Sequence, residues 1–157
     1  MLIIADSSAL VALATCSALD ILVSLYETIN VPQAVYDEIA VPHKPQGIAL
    51  AHFLQGRIVP VDTRQFVLSA GGLGQGEIEA MALYKLLGAD LLLVDDRRAR
   101  LVAEANWIQC IGTLGVLLQA KRKGLVSEIS SYIQALQASP LRYHEALLQK
   151  VLQLAGE

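Results

Sequence analysis

Two short apolar runs in this chain end abruptly in acids. Leu2, Ile3, Ile4 and Ala5 lead into Asp6, and Leu91 to Val94 lead into Asp95 and Asp96. Apolar runs of this length, bounded by polar residues, predict buried strands of a parallel sheet. In open α/β sheets, sites form beyond the carboxyl ends of the strands. Acids far apart in sequence should therefore meet at one edge. Carboxylates without nearby cations repel one another, and burying them costs on the order of several kcal/mol or shifts their pKa. A divalent cation, Mg²⁺ or Mn²⁺, is the simplest remedy, because hard cations prefer carboxylate oxygens.

Other residues bear on the same edge. Glu77 opens a predicted helix just before strand 90–94. Helices of a βαβ unit run antiparallel to their strands, so that helix N-terminus lies at the carboxyl edge. Stabilisation by the helix dipole explains Glu77 equally well. Asp6, Asp95 and Asp96 each precede a predicted helix and could serve as caps, but two adjacent acids exceed what capping requires. A strand alternates its faces, so one of Asp95 and Asp96 should point into the site and the other away. Glu38 borders the buried stripe marked by Val35 and Ile39, and periodicity alone leaves it on a solvated surface. Ser7 and Ser8 can supply hydroxyls near a metal or cap a helix. Arg97, Arg98 and Arg100 could steer phosphates, or form a solvated helix face.

The elements that must position these groups alternate between strands and helices. Strands are expected at 2–5, 28–31, 58–61, 90–94 and 107–111, with Pro60 demoting the third to a short or edge piece. Helices are expected at 7–15, 17–26 with Ser17 as cap, 32–40, 48–54, 75–87, 97–105, 114–122, 127–138 and 143–154. The segment 41–47 is a turn-rich break, and Gly71, Gly72, Gly74 and Gly76 form a loop before Glu77. This order predicts a single α/β domain over residues 1–157, a sandwich with a mostly parallel central sheet.

Composition narrows the class. The chain has 157 residues, is 54% hydrophobic and only 17% charged, and carries a net charge of −3. The apolar surplus predicts an oligomer interface, most simply that of a homodimer. The charge argues against a basic nucleic-acid coat but allows local patches. Six of the twelve Lys and Arg lie between Arg97 and Lys123. Cys16 and Cys110 lack metal-like spacing and read as buried free thiols of a reducing compartment. No basic n-region precedes the first apolar run, and no run of apolar residues is long enough to span a membrane. A cytoplasmic protein is expected. The glycine loop lacks the Lys-Ser/Thr of a P-loop. His43, His52 and His144 stand apart, which leaves a Ser-His-Asp site with Ser7 or Ser8 unsupported.

The segments ADSSALVALA, VPQAVYDEI, LGQGEIEAMAL, LLLVDDRRAR and IGTLGVLLQAKRKGL occur in the order and spacing of PIN-domain proteins. Over nearly its whole length the chain resembles a prokaryotic PIN subfamily often left as a domain of unknown function. The resemblance implies a PIN-like three-layer α/β/α sandwich. It also implies a metal-dependent ribonuclease of the kind found as the toxin in VapC-type toxin–antitoxin pairs, with an antitoxin protein as partner. It matches Asp6 to the family's first acid and Glu38, in Pro-x-x-Val-x-x-Glu, to the second. Glu77 matches the acid opening the central helix, and Asp96 the acid after the later strand, with Asp95 its neighbour. Two positions depart from the pattern. Glu77 stands where toxins commonly have Asp, and Val94 where many members have Thr or Ser.

The expected activity is hydrolysis of RNA phosphodiester bonds. Asp6, Glu38, Glu77 and Asp96 are the catalytic candidates, and Asp6, Glu77 and Asp95 or Asp96 the candidate metal ligands. Arg97, Arg98 and Arg100 are the candidate RNA contacts. One rival is a PIN-like module that binds RNA or protein without cutting. Another is a phosphoryl-transfer site of receiver or phosphatase type. Against the latter, Ser8 stands where a phosphatase has its second acid, and Gly112 and Thr113 follow the last strand where a receiver has Lys.

Overall fold

The computed structural model describes residues 1–65 and 72–157. Gly71 of the predicted glycine loop lies outside the described residues. Four parallel strands, β1 (Leu2–Ala5), β2 (Thr28–Asn30), β3 (Leu91–Leu93) and β4 (Cys110–Ile111), form one sheet in the order β2-β1-β3-β4. Among the described residues the helices are α1 (Ser7–Thr15), α2 (Leu19–Leu25), α3 (Gln33–Ile39), α4 (Gly47–Phe53), α5 (Gln75–Leu87), α6 (Arg97–Ala105), α7 (Thr113–Arg122), α8 (Ser130–Gln137) and α9 (Glu145–Leu154). The expected α/β fold is what the chain adopts.

The layers follow from side-chain alternation along the strands. Ile3, Ala5, Ile29 and Leu93 face one apolar core, with Leu10 and Leu13 of α1, Leu117 of α7 and Ile133 of α8. Ile4, Leu92 and Val94 face the other, with Met81 and Leu83 of α5 and Ala99 and Ala103 of α6. Helices thus cover both faces, which is why these strands read as continuous apolar runs. Each fully buried Leu or Ile contributes about 1.5–3 kcal/mol relative to exposure.

The strand order fixes where a site can form. From β1 the chain crosses to β2 on one side, and from β3 it crosses to β4 on the other. The direction of winding reverses between β1 and β3, and a crevice opens there at the carboxyl ends. Asp6 follows β1 and Asp96 follows β3, so both stand at this crevice.

Several boundaries differ from expectation, each for a local reason. Ser17 does not cap α2. It sits in the left-handed region at φ 58°, and the next amide, Ala18, donates to the Leu13 carbonyl at 2.7 Å, which closes α1. The predicted strand at 58–61 reduces to a bridge between Ile58 and Val31, since Pro60 has no N–H to extend a ladder. The strand expected at 107–111 shortens to Cys110–Ile111, with Trp107 left-handed at φ 61°. The helix expected from 127 begins at Ser130, where the Glu157 carboxylate accepts the amides of Ile129 and Ser130 at 2.9 and 3.0 Å. The last helix begins at Glu145 because Tyr143 is drawn to Asp95 instead. Cys16 is buried as expected, but Cys110 is only half-buried. Burial pushes both thiols up to about 11. Among the described residues no single helix is long and apolar enough to cross a membrane. α1 and α2 together have the length and composition, but they bend by 112° at their junction, and both contribute to the core.

The left-handed Ser17 yields a stability prediction. An L-residue there costs about 1–2 kcal/mol that glycine avoids, although glycine also gives the unfolded chain more freedom. Ser17→Gly should raise the midpoint of urea unfolding, and β-branched Ser17→Val should lower it.

Candidate functional site

Asp6 caps the end of the central strand. Its amide donates to the Leu93 carbonyl at 2.9 Å, which locks the β1 end to the β3 end. The side chain is only 3% exposed, and its Oδ1 has no hydrogen-bond partner among the described residues. Burial pushes this carboxyl up to about 7; the Ser7 amide opposes the shift, and the negative charges of Glu77, Glu38 and Asp96 add to it. A buried carboxylate oxygen with no donor is costly and calls for an explanation.

The explanation lies in the cleft above it. Asp6, Ser7, Ser8, Glu38, Glu77 and Asp96 line one hollow of about 710 Å³. Four acids from the ends of two strands and from two helices thus converge there. Glu38 is exposed, yet its Oε2 accepts the Ser7 hydroxyl at 2.7 Å. Periodicity alone places it on a solvated surface, and exposed it is, but that surface is the wall of the cleft. The approach of α3 to α5 makes the difference. A Cβ on Gly76 would stand 3.3 Å from the Glu38 carboxylate and 3.4 Å from Val35, so any larger residue there would press on the Glu38 side chain. Glu79 bonds the same two helices, accepting the Ala34 amide at 3.4 Å.

Glu77 and Asp96 each face the cleft from a helix N-terminus. The Glu77 carboxylate reaches back to the Gly74 amide at 2.8 Å, and Asp96 accepts the Ala99 amide at 2.8 Å. The capping role and the cleft role therefore coexist in both residues. The neighbouring acid does something else. Asp95 accepts the Thr113 amide at 2.7 Å, the Thr113 hydroxyl at 2.8 Å and the Tyr143 hydroxyl at 2.7 Å. Both of its oxygens are engaged, and it does not line the cleft. Both acids lie beyond the end of β3 at Leu93, so strand alternation does not govern them; Asp96 lines the cleft and Asp95 does not.

The three arginines stand off the acid cleft. Arg100 bonds Glu104 at 3.2 Å on α6. Arg98 lies against Gly72, where a Cβ would overlap its guanidinium. Arg97 is exposed and does not line the cleft. The cation that does line it is Lys44, in the turn-rich break, whose Nζ donates to the Glu38 carbonyl at 2.7 Å. Sequence reasoning did not single it out. The cue was present in a charged residue between Pro42 and Pro45, but nothing in the order of elements brings that turn to the sheet edge. Leu141, from the segment before α9, closes another wall and also went unforeseen.

The donor set was tested against a divalent cation. Among the described residues, no three acidic, histidine or cysteine side chains stand close enough to form a ready-made cage, because Glu77 and Asp96 are turned onto their own helix amides. The chemistry nevertheless fits. All the donors are hard oxygens, and Asp6 Oδ1 is an orphan aimed at no protein donor. Mg²⁺ keeps several waters and commonly takes only one or two carboxylates together with substrate phosphates.

Neither curated proteins nor solved structures gave a match to the chain. A family model described as "DUF3368: PIN domain" matches residues 2–157. The match spans every strand and every acid of the cleft, and the chain belongs to this PIN-domain family.

Proposed function

We propose that the protein is a metal-dependent ribonuclease that hydrolyses RNA phosphodiester bonds in the cytoplasm. PIN domains are typically nucleases, and PIN-domain nucleases generally use divalent metals. The observation that carries the reading is the buried Oδ1 of Asp6, without a hydrogen-bond partner among the described residues, on a residue that lines a cleft with three further acids.

In this reading Asp6 holds the cation, helped by Glu77, Asp96 and Glu38. When bound, the divalent cation supplies positive charge that lowers the pKa of a water and stabilises charge developing on the phosphate. The chain's own residues do the rest. Ser7 fixes the Glu38 carboxylate by its 2.7 Å hydrogen bond. Lys44 spends one of its N–H donors on the Glu38 carbonyl and has others for a phosphate oxygen. Asp95 supports the site through Thr113 and Tyr143 rather than as a ligand. Arg97, Arg98 and Arg100 serve at most as outlying RNA contacts. As a toxin the chain would be restrained by an antitoxin protein covering the cleft. The exposed Trp107 and Leu101 offer apolar surface for a homodimer.

A second reading is a PIN-like module that binds RNA or protein without cutting. The capping bonds of Glu77 and Asp96 favour it, since each commits one carboxylate oxygen to a backbone amide.

Cleavage decides between the two. Purified protein should cut single-stranded RNA in Mn²⁺, EDTA should stop it, and Glu77→Gln and Asp96→Asn should each abolish it. Robust cleavage by both variants would exclude this site, and RNA binding without turnover by the wild-type chain would favour the second reading.

The Asp6 carboxyl gives a pH prediction for the metal-free protein. Its folded pKa is raised from 3.8 to about 7. Between those values the folded state holds a proton that the unfolded state has released, so stability falls as pH rises from about 4 to about 7. Asp6→Asn removes that penalty. In EDTA the variant should unfold at higher urea than wild type at pH 8, by on the order of a few kcal/mol. The gap should close below pH 4. Equal stability of the two proteins at pH 8 would contradict the burial of a charge at Asp6.

A further inference from the structure

A second hollow, of about 510 Å³, opens beside the acid cleft. Leu141 lines both, so the two hollows adjoin at this residue. The floor of the second is apolar, with Leu136 and Leu148 buried beneath it. Its rim carries Arg142 and His144, both exposed, on either side of Tyr143. Among the described residues no hydrogen bond or ion pair engages either side chain.

The rim is tied to the acid edge. Tyr143 donates its hydroxyl to Asp95 Oδ2 at 2.7 Å, and Asp95 adjoins Asp96 of the cleft. Thr113, fully buried, holds the other side of the same carboxylate. Burial and the Asp95 charge push the Tyr143 hydroxyl well above its ordinary range, so it stays a donor. One tyrosine therefore sets Arg142 and His144 at a fixed place relative to the acids.

A polyanion approaching four carboxylates meets repulsion at the cleft, where Lys44 is the cation in the lining, and further positive charge beside it helps to compensate. Arginine is the side chain best suited to a phosphate, through two parallel N–H donors. A base taken out of its stack can be held against apolar side chains. Single strands can splay a base into such a hollow, whereas a duplex cannot. We propose that the second hollow is a binding subsite for a nucleotide flanking the scissile phosphate of a single-stranded RNA. Arg142 takes a phosphate, His144 donates beside it, and the Leu136–Leu141–Leu148 floor receives a base. As a substrate subsite it rests on the nuclease reading above.

The test is binding, measured apart from cleavage. A short fluorescein-labelled single-stranded RNA is titrated in Mg²⁺ with the Glu77→Gln chain, by anisotropy, at several salt concentrations. Adding Arg142→Ala should weaken binding about three- to tenfold and lower the slope of log K against log salt by about 0.7, the loss of one phosphate contact. Arg142→Lys should keep the slope, and Lys150→Ala, on the exposed side of α9, should change neither quantity. Arg142→Ala with unaltered affinity and slope would overturn the subsite. A wild-type chain that binds RNA with the Arg142-dependent slope yet never cleaves it would overturn the nuclease reading and leave the binding subsite standing.

Discussion

A carboxylate buried at the end of the central strand, with one oxygen unanswered by any donor among the described residues, is the constraint to which the rest of this structure responds. Asp6 is 3% exposed and stands among three like charges. Water cannot reach it well enough to solvate the charge, and the protein provides no cation at its Oδ1. A site built only for stability would place an apolar side chain there or aim an amide at the vacant oxygen. The neighbouring carboxylate shows what satisfaction looks like in this fold. Asp95 receives three donors from Thr113 and Tyr143, and it faces away from the cleft.

The two adjacent acids thus divide the work at the end of β3. Asp96 faces the crevice while capping α6, and Asp95 ties α7 and the segment before α9 to the strand end. Because Asp95 anchors Tyr143, it also sets the wall formed by Leu141 on which both hollows depend. On the opposite side Gly76 performs an equivalent service by absence. Its missing side chain lets α5 start close enough to α3 for Glu38 and Glu77 to share a cleft. The site is therefore supported by two single residues, Asp95 and Gly76, each of which brings remote segments together.

The legible part of this fold was the part written in local periodicity. The β1 and β3 runs are buried on both faces, so they read as uninterrupted apolar stretches, and the acids that end them announced the crevice. The parallel order of strands and the α5 start at Gln75 followed from the same patterns. Glu38 was illegible to periodicity, because its place depends on an interhelical approach that no single helix encodes. Its resemblance to the acid of a known motif supplied what pattern could not. Lys44 and Leu141 went unseen for the same reason, lying in irregular segments whose position is set by long-range packing. Ser17 misled because serine is a common N-cap, and only the backbone shows it in the left-handed turn that ends α1.

The central claim is that the Asp6 carboxylate exists to meet a divalent cation. The most direct measurement is a Mn²⁺ titration of the protein followed by electron paramagnetic resonance of the unbound ion, near neutral pH and without RNA. The account predicts saturable Mn²⁺ binding by the wild-type chain and its loss on Asp6→Asn. Equal Mn²⁺ uptake by the two proteins, or none by either, would contradict it.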